Sequence, residues 1–275
     1  MKISVLIPAH NEAAYLSACL DALLNSTASA VEIIVIANGC TDATAEIAAG
    51  YEVEARNKGW AWIVLDIAQG GKLNALNQGE LKASGEVLIY LDADVQVSPD
   101  LIAQIGTALD GSRPAYASGK PHVTVTGEDA ITRHFTRFWL TTPFMMQGVP
   151  GFGVFAMNKS GRERWGPWPD IISDDTFARL NFSADERVRV PASYQWPMVE
   201  GFTRLVQVRR RQDAGVAEIA AQFPKLLEND DPRDAVDPIW KRALKDPVAF
   251  VVFCAVRVVV RLPVLRNKDR WARGR

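Results

Sequence analysis

Residues 86–97 of the chain, EVLIYLDADVQV, carry the strongest signal for the fold. An apolar run from Val87 to Leu91 is followed at once by two aspartates, Asp92 and Asp94. A continuous run of apolar and β-branched residues is typical of a strand that is buried on both faces of a parallel sheet. We therefore predict a buried strand whose carboxyl end places both carboxylates on the same side, because side chains alternate along a strand.

Two carboxylates held close together repel each other unless a cation lies beside them. A hard divalent cation meets that need, because it takes oxygen ligands and can also bind phosphate oxygens. The alternative is an acidic loop that caps the next helix or is solvated, since short acidic patterns are common. We predict a metal site with Asp94 and Asp92 as ligands and Mg²⁺ or Mn²⁺ as the ion, which the ligand types do not distinguish.

The first 125 residues alternate between apolar runs and amphipathic runs, which predicts βαβ units and a mainly parallel sheet. Ser98 is the predicted N-cap of the last of these helices, and Pro99 is predicted at its first position. The other predicted strands are residues 3–8, 32–38 and 62–67, and the predicted helices are residues 12–25, 42–55, 72–84 and 98–110.

Polar residues follow each of these strands, at the point where parallel sheets bind ligands. The segments are Pro8-Ala9-His10-Asn11-Glu12, Asn38-Gly39-Cys40-Thr41-Asp42, Gly70-Gly71-Lys72 and Asp92-Ala93-Asp94. We expect these groups to converge on one edge of the sheet.

Composition restricts the class of protein. The chain has 275 residues, 48% apolar and 23% charged, which predicts a globular protein with a large core. Its net charge of −1 gives no overall attraction to nucleic acid, so we expect no such partner. Cys19, Cys40 and Cys254 are widely spaced, which favours reduced thiols in the cytoplasm. We expect neither a signal peptide nor a transmembrane helix.

The second half has a different pattern. We predict a strand with a turn at residues 114–127, an aromatic helix at 128–147, and a glycine-rich loop leading into a strand at 148–158. Residues 170–182 predict a loop and a helix capped by Ser173 or Asp174. Further along, the predictions are a strand at 187–199, a helix at 200–222, an acidic surface connection, and a C-terminal helix.

Four segments, in this order and at this spacing, resemble the family 2 glycosyltransferases of the GT-A fold. They are IPAHNE at 7–12, EIIVIANGCTDAT at 32–44, GGKLNALNQGELKASGEVLIYLDADV at 70–95, and GFGVFAM with DIISDDTFARL at 151–180. The resemblance implies an α/β, Rossmann-like, mainly parallel sheet flanked by helices. It implies a catalytic domain at 1–215, with a nucleotide-sugar half at 1–125 and an acceptor half at 126–215, followed by a helical extension at 216–275.

The resemblance also implies a sugar transfer from a nucleotide diphosphate donor to a hydroxyl acceptor, with inversion. Asp94 would bind the metal and the diphosphate, and Asp92 would contact the ribose or sugar. Asn38 replaces the aspartate that usually contacts the base, and its neutral amide still donates and accepts hydrogen bonds. The implied nucleotide-sugar residues are Pro8, Ala9, His10, Glu12, Asn38, Lys72, Asp92, Asp94 and Arg210. For Glu12 and Lys72, helix charge compensation and simple solvation stay open as alternatives.

The acidic pair Asp174 and Asp175 matches the family's acids before a helix. By this resemblance Asp175 is the general base that takes the acceptor proton, and Asp174 lies beside it. Helix capping is the alternative role for both. Gly151 and Phe152 would border the acceptor pocket, where glycine allows close approach of the backbone.

Two features bear on the kind of enzyme. Gln207 and Arg210 fit the Gln-x-x-Arg-Trp motif of processive relatives, but Arg211 replaces the tryptophan, which favours a non-processive enzyme.

A degenerate, inactive member that binds a nucleotide sugar or a protein remains the alternative. A nucleotidyltransferase is disfavoured because no glycine-rich loop with an arginine follows the first strand. A dinucleotide-dependent oxidoreductase is disfavoured because no GxGxxG follows a strand.

The C-terminal segment is apolar and then basic. Residues 257–275 contain seven basic residues and one acidic residue, and the apolar run from Val248 to Val256 is too short to span a bilayer. Such a segment can lie in an anionic membrane surface, which would favour a lipid-linked acceptor over a soluble saccharide. The alternative is a helix that packs on the domain and carries a solvated basic end.

Overall fold

In a computed structural model of the chain, the described residues are 1–125, 127–231 and 237–262. The strands within these ranges are β1 Ile3–Ala9, β2 Val31–Asn38, β3 Ala61–Ile67, β4 Val87–Leu91, β5 Gln96–Val97, β6 Tyr116–Thr124, β7 Val154–Asn158 and β8 Arg187–Pro197. The helices are α1 Leu16–Leu24, α2 Thr44–Gly50, α3 Glu52–Asn57, α4 Lys72–Glu80, α5 Leu101–Ala108, α6 Ala130–Trp139, α7 Pro143–Met146, α8 Lys159–Arg162, α9 Asp174–Leu180, α10 Phe202–Gln222, α11 Ile239–Lys245 and α12 Pro247–Arg261. Two 3₁₀ helices lie at Ala184–Glu186 and Pro224–Asn229.

The strands form one sheet in the order β3-β2-β1-β4-β7-β6-β8-β5. The pairs β2–β3, β1–β2 and β1–β4 are parallel, as the alternating pattern predicts. The pairs β4–β7, β6–β7 and β5–β8 are antiparallel, so the sheet is mixed beyond β4. This arrangement places the carboxyl ends of β1, β2 and β4 at one edge.

The first half of the sheet is the core. Every residue of β2 and β4 is buried, as the continuous apolar runs predict. Helix α4 packs closely on this sheet at Gly79, where an added Cβ would lie 2.9 Å from Ile36 Cδ1. The close packing of α4 determines where its first residue, Lys72, lies at the sheet edge.

Several local predictions were wrong. Strand β3 is only partly buried, because it is the edge strand of the sheet. The helix predicted at 42–55 is two helices, α2 and α3, which meet at Tyr51. Helix α5 begins at Leu101 and not at Pro99, and Ser98 does not cap it. Instead, Ser98 Oγ accepts a hydrogen bond from the backbone of Ser193, 3.2 Å away, which joins it to β8.

The chain divides into two compact units. The first contains residues 1–122, 151–170 and 174–196, and the second contains residues 123–150, 171–173 and 197–275. In the second unit α12 packs on α6, with the Phe253 ring 5.3 Å from Phe135 and 4.9 Å from Phe138. The domain boundary at residue 215 remains a prediction. In the part of the chain that the structure describes, no helix has the length and apolar character needed to cross a bilayer.

Candidate active site

Asn38, the last residue of β2, ties three polar segments together. Its Nδ2 donates to the carbonyl of Ala9 at 2.8 Å, and its Oδ1 accepts from the backbone N–H of Gly71 at 3.0 Å. His10 Nδ1 lies 2.5 Å from the Asn38 carbonyl oxygen. The Asn38 side chain is only 2% exposed, so its hydrogen bonds serve the backbone around it. Its contact with a nucleobase therefore stays a prediction, as do the roles of Pro8, Ala9 and His10.

Lys72 joins two acids that are far apart in the sequence. It begins α4 directly after Gly71, whose φ of 132° favours glycine. Its ammonium lies 2.8 Å from Asp92 Oδ1 and 2.9 Å from Asp174 Oδ2. Burial lowers the pKa of Lys72, but Asp174 and Asp92 outweigh it and raise that pKa above its ordinary value. Lys72 is therefore a fixed positive charge between two carboxylates.

Asp92 and Asp94 lie in a turn after β4, and not in the strand as the alternation argument assumes. The backbone N–H of Asp92 donates to the carbonyl of Gly153 at 2.8 Å, and that of Val95 donates to the carbonyl of Asp92 at 3.1 Å. The two carboxylates still act on a common neighbour. Burial, then Asp94, Asp92 and Glu12, raises the pKa of the Cys19 thiol well above its ordinary value. Both carboxylates thus influence the same buried thiol, while their role as metal ligands remains a prediction.

Asp174 and Asp175 occupy the first turn of α9. Asp174 is buried and paired with Lys72, whereas Asp175 is partly buried and accepts from the Thr176 backbone N–H at 2.6 Å. Burial and the Asp174 carboxylate raise the pKa of Asp175 to about 6. A carboxylate with that pKa is ionised at neutral pH and is a stronger base than an ordinary aspartate, so it suits proton removal.

The loop before β7 packs on Tyr116 and Tyr194. Gly151 has a φ of 72°, and an added Cβ there would lie 1.8 Å from the Tyr116 hydroxyl, so only glycine fits. Burial, then the Asp175 carboxylate, raises the pKa of Tyr116 well above its ordinary value. The Phe152 carbonyl accepts from the Tyr194 hydroxyl at 2.8 Å. Gly151 thus packs against Tyr116, whose pKa the Asp175 carboxylate raises, and the acceptor role of Gly151 and Phe152 remains a prediction.

The sequence interpretation missed three aromatic residues of this region. Tyr116 lies under Gly151, while Tyr194 and Trp196 pack on Phe152 with ring centroids 6.4 Å and 4.9 Å away. Tyr194 and Trp196 are two residues apart in β8, a spacing that indicates a shared face of the strand. No signal in the sequence marks Tyr116.

Asp92 and Asp94 are the candidate ligands for a divalent ion. Within residues 1–125, 127–231 and 237–262, no three His, Cys, Asp or Glu side chains form a complete metal cluster. Asp92 and Asp94 supply only hard oxygen ligands, which suit Mg²⁺ and Mn²⁺. Together with Lys72, Asp174 and Asp175, they leave an excess of negative charge that a cation would relieve. The residues fit an ion whose remaining ligands are phosphate oxygens and water.

Arg210 lies in the second unit, where it caps the carboxyl end of α12. Its Nε donates to the carbonyl of Val260 at 2.9 Å, and its Nη2 donates to the carbonyls of Val259, at 2.7 Å, and Leu262. The Val259 carbonyl also accepts from the Leu262 backbone N–H at 3.1 Å, so Arg210 adds to the hydrogen bonds at this helix end. In the structure Arg210 contributes to the packing of α10 on α12. Its binding to the donor diphosphate remains a prediction.

Comparison with known proteins gives one family. Residues 4–188, more than half of the chain, match the sequence profile of Glycosyl transferase family 2. The probable glycosyltransferase YdaM of Bacillus subtilis is 28% identical over 216 residues, which cover 71% of this chain and 50% of that protein. This chain spans 32% to 57% of the first curated relatives that it matches.

Solved structures share the fold. The mannosyltransferase PcManGT of Pyrobaculum calidifontis, in complex with GDP-Man and Mn²⁺, has a TM-score of 0.62 at 18% identity, covering 94% of this chain and 74% of its own. Residues 1–349 of S. aureus TarS, in complex with UDP, have a TM-score of 0.52 at 17% identity, covering 85% and 68%. Identities this low support the likeness in fold alone.

Proposed function

The chain belongs to glycosyl transferase family 2, and from that premise we propose that it transfers a sugar from a nucleoside diphosphate donor to an acceptor hydroxyl, with inversion at the anomeric carbon. One observation carries the proposal. The Lys72 ammonium contacts both Asp92, on the donor side, and Asp174, the neighbour of Asp175. It therefore joins one acid proposed for the donor to the acid beside the proposed base, within one compact unit.

The proposed chemistry assigns one task to each group. Asp175 takes the proton of the acceptor hydroxyl as its oxygen attacks the anomeric carbon. The bond from that carbon to the diphosphate breaks on the opposite face, and the nucleoside diphosphate leaves with the electron pair. A Mg²⁺ or Mn²⁺ ion held by Asp94 and Asp92 would neutralise the charge that grows on the leaving diphosphate. Lys72 holds Asp92 and Asp174 in place for both partners.

The donor and acceptor are proposed only as classes. The two fold neighbours were solved with GDP-Man and with UDP, so they do not favour one base. The acceptor is a saccharide or a lipid-linked saccharide, and Arg211 in place of the processive tryptophan favours a single transfer.

A panel of UDP-, GDP- and dTDP-sugars, with and without metal, is the direct experiment. A donor should raise the melting temperature and release its nucleoside diphosphate. Stabilisation without any release would instead favour the inactive binding protein.

Asp94→Asn tests the metal assignment. Loss of one carboxylate from the metal site should reduce the metal-dependent release of nucleoside diphosphate by at least about 100-fold. Isothermal titration with Mn²⁺ and the nucleoside diphosphate gives a second readout, in which the affinity for Mn²⁺ should fall. Asp110→Asn removes the same charge from an exposed position after α5, and it should change neither property. Unchanged Mn²⁺ affinity in Asp94→Asn would exclude this residue as a ligand.

The raised pKa of Asp175 predicts a pH profile. Only the ionised carboxylate accepts a proton, so kcat/KM should be constant above about pH 6 and fall about tenfold per unit below it. Initial rates at saturating metal, with circular dichroism at each pH, provide the measurement. The protein must stay folded and recover its activity on return to neutral pH. A rate that stays constant well below pH 6 would contradict the assignment of Asp175 as the base.

A further inference from the structure

Helix α12 has an apolar face that no described residue covers. One face packs on α6 through Phe250 and Phe253, whose rings lie 5.2 Å and 4.9 Å from Phe138. The opposite face is exposed and apolar, with Val251 64% and Val258 58% exposed. This apolar stripe is Val248, Val251, Ala255, Val258 and Leu262. Its spacing is that of one face of a helix, so the exposed residues form a continuous line.

Further exposed apolar residues lie beside the stripe in the same unit. Helix α11, which directly precedes α12, exposes Trp240 and Leu244 at 58% and 75%. Arg242 Nη1 donates to the carbonyl of Thr141 at 3.1 Å, so α11 lies next to the segment leading into α7. Helix α7 itself exposes Phe144 and Met146 at 45% and 57%. A patch of this extent on a globular protein indicates an interaction surface.

The C-terminal sequence that contains the stripe is strongly basic. From residue 239 to 275 the chain has ten basic and two acidic residues, a net charge of +8, whereas residues 1–238 carry −9. Lys241, Lys245 and Arg261 are exposed on α11 and α12. Five of the ten basic residues lie outside the described residues, namely Arg266, Lys268, Arg270, Arg273 and Arg275. An apolar face with this charge is complementary to an anionic surface.

We propose that the apolar stripe and α11 dock on an anionic membrane surface, with Trp240 and the stripe inserted at the level of the lipid headgroups. The face of α12 that contains Phe250 stays packed on α6 while the apolar stripe enters the membrane–water interface. Helix α12 therefore lies along the membrane and does not cross it. A second copy of the chain fits this surface less well, because two basic faces would repel each other. This inference does not depend on the proposed sugar transfer, since vesicle binding needs neither donor nor metal.

Sedimentation with lipid vesicles tests the proposal on the full chain. The chain should bind vesicles made of equal parts phosphatidylcholine and phosphatidylglycerol. Its affinity for vesicles of phosphatidylcholine alone should be at least about tenfold lower. High salt should weaken binding to the anionic vesicles. Brominated lipid should quench the fluorescence of Trp240. Because the chain has eight tryptophans, the contribution of Trp240 is the quenching that is lost in Trp240→Phe.

The double variant Val251→Asp/Val258→Asp should reduce binding to anionic vesicles by at least about tenfold, with an unchanged melting temperature because both residues are exposed. Val53→Asp is the matched control, since Val53 is 67% exposed on α3, in the other unit. Wild-type binding by the double variant would overturn the proposal. So would a chain that binds no vesicles and forms a dimer in light scattering that the double variant dissociates.

Discussion

Asp175→Asn should abolish sugar transfer and at the same time make the protein more stable. The amide cannot take a proton from the acceptor, which should reduce the rate by about 100-fold to 10,000-fold at neutral pH. The pKa of Asp175 is raised by about two units, so its ionised form costs up to about 3 kcal/mol of stability, and Asn removes that cost. The Thr176 backbone N–H, 2.6 Å from Asp175 Oδ1, can still donate to an amide oxygen.

The stabilisation should depend on pH in a specific direction. Above about pH 6 the folded protein carries the ionised Asp175, and Asp175→Asn should melt several degrees higher than the wild type. The difference should shrink as the pH falls below 6, because Asp175 then binds a proton in the folded state. Calorimetry across this range measures it, with Asp110→Asn as the exposed control. If the difference in melting temperature is constant or reversed, the pKa of Asp175 is not raised in the folded protein.

Lys72→Met should have the largest combined effect on stability and activity. It leaves Asp174, which is 7% exposed at its side chain, without its ion pair, and breaking a buried pair costs about 3 kcal/mol or more. Loss of Lys72 also removes the cation that lowers the pKa of Asp175, so the acid limb of the pH profile should move upward. Displacement of Asp92 and Asp174 should reduce the transfer rate by at least about 100-fold.

A double variant separates the charge effect from simple loss of packing. In Lys72→Met/Asp174→Asn the buried carboxylate is also gone, so thermal unfolding should return most of the way to the wild-type temperature. Transfer should stay low, because Asp92 still lacks its partner. If the second change recovers no stability, the ion pair to Asp174 is not what Lys72 contributes. Chemical denaturation and product release on the same preparations give both readouts.

The strands and their ligand edge were predictable because the physical cause is local. Strands buried on both faces have continuous apolar runs, and β2 and β4 fulfil that condition over their whole length. Parallel strands bring their carboxyl ends to one edge, which is why Asn38 and Asp92 could be assigned to a common region. The antiparallel strands β7 and β6, by contrast, join the sheet through pairings that no local pattern specifies.

The internal contacts of the site depend on distant packing. Lys72 pairs with Asp174, 102 positions further along the chain, and α4 packs closely on the sheet at Gly79, and neither contact can be read from the sequence. Tyr116 lies under Gly151 because β6 and the loop before β7 meet in the sheet. Strand alternation predicted Asp92 and Asp94 side by side at this edge, but a turn bonded to Gly153 is what holds Asp92. Local patterns therefore indicated the candidate residues, and tertiary packing determines which of them contact one another.

The bonds of Asn38 have a consequence for chemical ageing. Asn38 is followed by Gly39, the pair most prone to deamidation, in which the glycine nitrogen attacks the asparagine side chain. Here the Gly39 nitrogen donates to the carbonyl of Ile67 at 2.7 Å, and the Asn38 amide is held by Ala9 and Gly71. The folded chain therefore shields this bond, while an unfolded molecule exposes it. Deamidation would leave a carboxylate that cannot donate to the Ala9 carbonyl. A chain that is deamidated while unfolded would therefore refold without the hydrogen bond that joins the ends of β1 and β2.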